Sequence, residues 1–335
     1  MVALQDWGDN AGNLVGYYYA PRERPTAAPL VVVLHGCSQD AAEIARLGGW
    51  NRLADRHGFV VLYPQQRLSN SLMRCFNWFT PEDVAKDSGE AQSIQQMVTT
   101  LTDRLSLDET SVYVTGMSAG GGMTSALLAL YPETFQAGAI MSGMPYAAAA
   151  DLTSALRAME GKVQLSAEEW GSRVRRQNPG YTDSYPALAV FQGMQDDIVD
   201  PSNADELAKQ WSSLHDFDLQ TPIAVDILDD NANIKRTVFH DRFGDTALLR
   251  YDIDGLGHAI AVDPGSSPKQ GGTTGKFAKD VDFYSSYWAA QFFRPDQLMQ
   301  RCGCPATFFA VCRCRHRAEQ SSRSLAGSKS RSGKR

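Results

Sequence analysis

The chain has no apolar run approaching the roughly 18 residues that a membrane-spanning helix needs. Its start, "MVALQDWGDN", lacks the basic n-region and apolar h-region of a secretory leader. Read as given, the chain is cytoplasmic by default. There is no fixed-period repeat and no linker dividing the body. Cysteine is scarce: of six in 335 residues, Cys37 and Cys75 are in the body and four crowd into the tail. Basic charge is scarce in the body too. From Arg301 onward nine Lys/Arg face one Glu, so the tail carries +8 and the first 300 residues −14 of the net −6. An acidic body argues against nucleic acid as the main partner, because phosphate binding needs a basic surface. Hydrophobic content of 43% and charged content of 21% are ordinary globular values, and a chain this long buries a sizeable core without staples.

Short runs, most of them wholly apolar, alternate with helical patterns. "PLVVVLHG" (29–36), "FVVLYP" (59–64), "SVYVTG" (111–116), "AGAIMSG" (137–143), "ALAVFQG" (187–193) and "ALLRYDIDG" (247–255) read as strands. Helical spacing fills 40–58, 89–105, 118–132, 203–215 and 277–293. In 89–105 the apolar stripe is Ile94, Met97, Val98, Leu101 and Leu105. This pattern predicts an α/β fold with a mainly parallel sheet and helices on both faces. "GNLVGYYYAP" predicts an extra antiparallel edge strand. Residues 144–185 fit the alternation poorly and read as a lid-like insertion over the sheet's C-terminal edge.

"VYVTGMSAGGG" (112–122) breaks a good strand with one serine boxed in by glycines. G-x-S-x-G between strand and helix is the context of a nucleophile elbow, against the bland reading of a Gly-rich turn. A serine needs a base, and the base an orienting acid. On such a sheet the chain order is Ser, then Asp or Glu, then His, with the partners in loops after later strands. "MQDDIVDPSN" supplies Asp196, Asp197 and Asp200, and "LGHAIAV" supplies His258. The other histidines precede the serine, end a helix, precede the last strand or lie in the tail. The oxyanion hole then falls to the backbone N–H groups of Ala119 and of Cys37 in "HGCSQD".

With these pieces placed, the chain resembles the polyhydroxybutyrate depolymerase family of esterases, which are α/β-hydrolases. The resemblance lies in "PLVVVLHGCSQD", "GWNRLADRHGFVVLYPQQ", "RCFNWF", "DSGEAQSI", "VYVTGMSAGGGMTSALLALYPETF", "FQGMQDDIVDPSNADELAKQW" and "GLGHA", in order, and covers roughly residues 8 to 295. The family's G-x-x-D-x-x-V matches Gly193, Asp196 and Val199, which makes Asp196 the orienting acid and Asp197 the runner-up. Its nucleophile maps to Ser118 and its base to His258. Gln192 stands where the family often has His, and "AIAVDPG" departs after Gly-His. The resemblance also suggests a Cys37–Cys75 disulfide, a substrate cleft bordered by Asn77 and Trp78, and secretion as the alternative to the cytoplasm.

The expected activity is serine ester hydrolysis of 3-hydroxybutyrate-type oligomers or polyester, with small or oligomeric esters as partners and no metal or organic cofactor. The rivals are a feruloyl or acetyl carbohydrate esterase, a non-catalytic binding protein on the same scaffold, and a serine peptidase. Residues 1–300 form the catalytic domain in this reading. The basic, Cys- and Ser-rich tail, 301–335, reads as disordered; its C-x-C pairs lack the usual zinc spacing.

Overall fold

In the computed structural model, residues 1–228 and 231–293 are described; the expectations for the 301–335 tail lie outside them. Met1–Phe293 is one unit by its internal contacts. In chain order its elements are β1 (Val2–Leu4), β2 (Val15–Tyr19), β3 (Leu30–Leu34), α1 (Ala41–Gly48), α2 (Trp50–His57), β4 (Val60–Gln65), α3 (Gly89–Leu105), β5 (Val112–Met117), α4 (Ala119–Leu130) and β6 (Ala137–Met141). There follow α5 (Leu152–Met159), α6 (Ala167–Arg175), β7 (Ala187–Gly193), α7 (Ser202–His215), β8 (Ala224–Leu228), β9 (Asn231–His240), β10 (Thr246–Ile253), β11 (Ile260–Val262), β12 (Ala278–Asp280) and α8 (Ser285–Phe292).

Ten strands form one sheet in the order β1-β2-β4-β3-β5-β6-β7-β10-β9-β8. The six central strands, β4 to β10, run parallel, and they are the six apolar runs of the sequence. Such runs suit strands covered on both faces: β3, β5 and β6 are buried along their whole length. One face packs Leu30, Val32, Val114 and Ile140 against α3, α4 and α7. The other packs Val31, Val33, Ala139 and Phe191 against α1, α2 and α8. α4 is buried at all twelve positions, so the helix that follows Ser118 is a core element.

Three details differ from the sequence reading. β2 is antiparallel, as expected, but β1 covers it and is the edge. The helical pattern of 40–58 splits at Gly49, whose left-handed φ of 65° ends α1 and opens α2. The 277–293 helix starts only at Ser285, because Ala278–Asp280 pairs with β11.

The insertion holds α5 and α6, each opened by a capping box, at Asp151/Ser154 and Ser166/Glu169. It is bound to α7. Trp170 Nε1 donates to Glu206 Oε2 (2.6 Å), and Gln210 exchanges hydrogen bonds with the backbone of Tyr146 (2.9 and 3.1 Å). Asn203 Nδ2 donates to the Ala158 carbonyl at 2.9 Å.

α4 approaches β3 so closely that a Cβ on Gly120 would stand 2.5 Å from the Leu34 carbonyl oxygen. Backbone cannot yield there as a flexible side chain does. Gly120→Ala should therefore lower unfolding free energy by roughly 1–3 kcal/mol, read as a shift in the urea midpoint at unchanged slope.

Candidate active site

Ser118 sits between the last residue of β5 and the first of α4, at φ 56°, ψ −119°. Few non-glycine residues adopt this backbone, and it costs on the order of 1–3 kcal/mol. The turn closes because Gly116 and Gly120 nearly touch: a Cβ on Gly116 would lie 2.2 Å from the Gly120 carbonyl oxygen. The Ser118 N–H donates to the Met141 carbonyl at 2.9 Å, which ties the turn to the end of β6. The leading N–H groups of α4, Ala119's included, have no carbonyl of the preceding turn to bond within the helix, so the helix start presents positive charge beside the serine.

The same tying repeats along the sheet edge. Ser142 N–H reaches Phe191 O (3.0 Å), Met194 N–H reaches Ile253 O (3.0 Å), and Gln195 N–H reaches Leu256 O (2.9 Å). The loops after β5, β6, β7 and β10 thus leave one edge already joined. On it His258 Nδ1 meets Asp196 Oδ2 at 2.8 Å, with the imidazole 6% exposed and the carboxylate fully covered. Asp196 Oδ1 accepts the N–H groups of Ile198 (3.0 Å) and Val199 (2.8 Å). Burial pushes the Asp196 carboxyl up, but the hydrogen bond and charge of His258 and these two N–H groups outweigh it and hold it below its ordinary value. The three aspartates of this loop differ in their surroundings. Asp197 is exposed, and Asp200 accepts from Ser202 N–H and Oγ (2.9 and 2.6 Å) at the start of α7. Gln192, beneath the acid, donates to the Val199 carbonyl at 3.3 Å.

Gly36–Gln39 forms a tight turn after β3. Gln39 N–H donates to the Gly36 carbonyl at 3.3 Å, and Gln39 Oε1 accepts the Gly36 N–H at 2.8 Å. Ser38 takes a left-handed φ of 63°. Two tethers hold this turn from outside: the Ser38 N–H donates to the Met73 carbonyl, and Cys37 is disulfide-bonded to Cys75. A Cβ on Gly36 would lie 3.5 Å from the Ser118 Cβ, so the turn abuts the serine.

Trp78 is buried and packs on Gly122 of α4. It shares a small cluster with Ala119, Met144, Trp170 and Val199, and Cys37, Cys75 and Phe79 pack against it. The insertion, the acid loop and the start of α4 therefore meet in one apolar patch. Asn77 is half-buried, its N–H on Glu90 Oε2 (2.8 Å) and its Nδ2 on Asp83 Oδ2 (3.1 Å). Sequence reasoning missed Gln39, Gln66 and Glu90, all buried within this framework. For Glu90 a signal existed: it falls four residues before Ile94, on the apolar stripe of α3.

The parallel sheet, the serine turn after its central strand and the Asp196–His258 pair are those of an α/β-hydrolase. The family model described as esterase PHB depolymerase matches residues 15–224. The chain is 39% identical over 293 residues to poly(3-hydroxyalkanoate) depolymerase C of Paucimonas lemoignei, covering 88% of this chain and 70% of that one. The chain belongs to the esterase PHB depolymerase family. It is also 31% identical to feruloyl esterase B of Thermothelomyces thermophilus, over 78% of this chain and 88% of that protein. Among solved structures it is similar to an acetyl xylan esterase from Aspergillus awamori, with TM-score 0.71 and 27% identity over 76% of this chain and 93% of that one.

The disulfide closes a separation of 38 residues. The double variant Cys37→Ala/Cys75→Ala should lose about 2–4 kcal/mol of unfolding free energy, measured by urea titration. Alkylation under denaturing, non-reducing conditions should leave both cysteines unlabelled in the unmodified protein.

Proposed function

We propose that this esterase cleaves 3-hydroxybutyrate-type ester bonds, in oligomers or polyester, through an acyl-enzyme on Ser118. The observation that carries the assignment of residues is the 2.8 Å pairing of His258 Nδ1 with Asp196 on the sheet edge that also bears the Ser118 turn. An Nδ1–H given to Asp196 leaves Nε2 free to take the serine proton. In this mechanism Ser118 Oγ attacks the ester carbonyl carbon and His258 accepts its proton. The Cys37 and Ala119 N–H groups hold the oxyanion, and Asp196 stabilises the imidazolium. His258 then protonates the leaving alcohol. A water molecule, deprotonated by His258, releases the acid and restores Ser118. Asn77 and Trp78 back the cleft on the side of the disulfide.

The likeness to the Paucimonas lemoignei depolymerase supports the 3-hydroxyalkanoate substrate class. A second reading, release of feruloyl or acetyl groups from carbohydrate, is supported by the feruloyl and acetyl xylan esterase relatives. Among the described residues no helix is long and apolar enough to cross a membrane.

Ser118→Ala should cut kcat on p-nitrophenyl butyrate by on the order of 10⁴-fold or more, and Asp196→Asn by roughly 10³–10⁴-fold, with the fold unchanged by circular dichroism. Near-normal turnover by Ser118→Ala would refute the assignment. Comparing kcat/KM on a 3-hydroxybutyrate oligomer, a feruloylated sugar and acetylated xylan decides the substrate class. Failure of a fluorophosphonate to label the protein would favour a non-catalytic role.

A further inference from the structure

The apolar stripe of α3 begins with a charge. Glu90 is fully buried, on the face that continues through Ile94, Met97, Val98 and Leu101. It makes no ion pair among the described residues. Both carboxylate oxygens accept hydrogen bonds: Oε2 from the Asn77 N–H at 2.8 Å, and Oε1 from the Gln66 side-chain amide. Gln66 is a junction. Its Nε2 also reaches the Cys75 carbonyl (3.2 Å), and its N–H donates to His35 Nε2 (3.1 Å). Since His35 Nε2 accepts, its Nδ1 carries the proton and donates to the Gly36 carbonyl at 2.8 Å. Burial holds His35 neutral, its pKa brought down to about 4.

These bonds lead from Glu90 to the first two residues of the strained turn. One route runs through Gln66 and His35 to Gly36, the other through Cys75 and its disulfide to Cys37. We infer that Glu90 is a positioning residue of the oxyanion hole, holding the turn that presents the Cys37 N–H. This rests on the reading of that N–H as an oxyanion donor.

The neighbours of Glu90 set its pH response. Asp83, in the loop before α3, accepts the Glu90 N–H at 3.2 Å and faces it as a like charge, with Glu82 beside Asp83. Neutral His35 stands beyond Gln66, and beyond it the Arg74–Asp40 pair at 3.7 Å. Burial first, and Asp83 second, bring the Glu90 carboxyl up to about 8. The ionised carboxylate suits two donors. A proton on Oε1 sets a donor against the Gln66 amide, whose own oxygen is taken by the Arg67 N–H and Asn70 Nδ2, so the hold on Gln66 and through it on the Cys75 carbonyl weakens. Activity should then rise as pH climbs through about 8. Stability should move the other way. The folded value lies above the ordinary 4.5, so the stabilisation is complete below about 4.5 and is lost as pH rises through about 8. A purely structural Glu90 would move activity and stability together.

The test measures kcat and KM on p-nitrophenyl butyrate, with urea midpoints at each pH, from about pH 6 to about pH 9.5. Wild type, Glu90→Gln and Asp83→Asn are compared, with Ser118→Ala as the inactive control. Glu90→Gln should lower kcat about tenfold with KM changed less than about twofold, and should lose the rise near 8. Asp83→Asn should move that rise to lower pH, since it removes the like charge. A folded Glu90→Gln enzyme with wild-type kcat and profile overturns the inference, as does a wild-type kcat that is flat where stability falls. If Glu90→Gln does not fold, the position of the rise in Asp83→Asn decides alone. An active Ser118→Ala would instead overturn the underlying reading of the site.

Discussion

The chain must turn at Ser118 through a backbone conformation that side chains disfavour, and the rest of the site is arranged around that turn. Its cost, on the order of 1–3 kcal/mol, is tolerated only where the surroundings over-determine it. Here they do. β5 and α4 meet where neither Gly116 nor Gly120 has a Cβ, and the serine N–H is fixed on Met141. Because α4 is buried throughout, relaxing the turn would mean displacing a core helix. The same edge then carries the acid and the imidazole on loops already hydrogen-bonded to neighbouring strands. The site is thus built on the sheet, and its precision is that of the sheet.

A second strained residue, Ser38, lies beside the first and is held differently. Here Gln39 and Asp40 separate the strained residue from the next helix, α1. Its turn is closed from within by Gln39 and from outside by the Met73 carbonyl and the disulfide. Those tethers come from the 66–78 segment, which is itself anchored on the first turn of α3. The serine therefore depends on backbone packing, and the turn at 36–39 on a polar network and one covalent bond. The two supports fail under different conditions, the first under overpacking, the second under reduction or a change of protonation.

Much of this was legible in the residues. Strands covered on both faces are mostly apolar, so the parallel strands stood out, β10 despite its Arg250 and Asp252, and with them the edge where Ser118 and His258 lie. The edge strands did not. β8 alternates half-buried and exposed positions, with Val225 and Ile227 facing solvent, and β9 mixes charge with apolar residues. Between Asp196, Asp197 and Asp200 residue type and loop setting alone do not discriminate, because all three suit a polar loop; the family pattern favours Asp196, and the structure adds its burial and its bond to His258, while Asp200 accepts from Ser202 at the start of α7. Gln39, Gln66 and Glu90 escaped for a related reason. Gln66 pairs with Glu90 across 24 residues and with the His35 ring across 31, and no spacing rule encodes such a pairing.

Asp196 and Glu90 show how one fold gives two buried carboxylates opposite tendencies. Burial raises the pKa of both. Asp196 faces an imidazole that becomes cationic during the proposed reaction, and two backbone N–H groups on its other oxygen; these overcome burial and keep it ionised. Glu90 faces only neutral donors and the like charge of Asp83, so burial prevails and its titration moves toward neutrality. The difference follows from the partners, since both groups are carboxylates in covered sites. An acid that must steady a developing positive charge has to stay negative. An acid that holds neutral amides is free to titrate, and the geometry it holds changes with its proton.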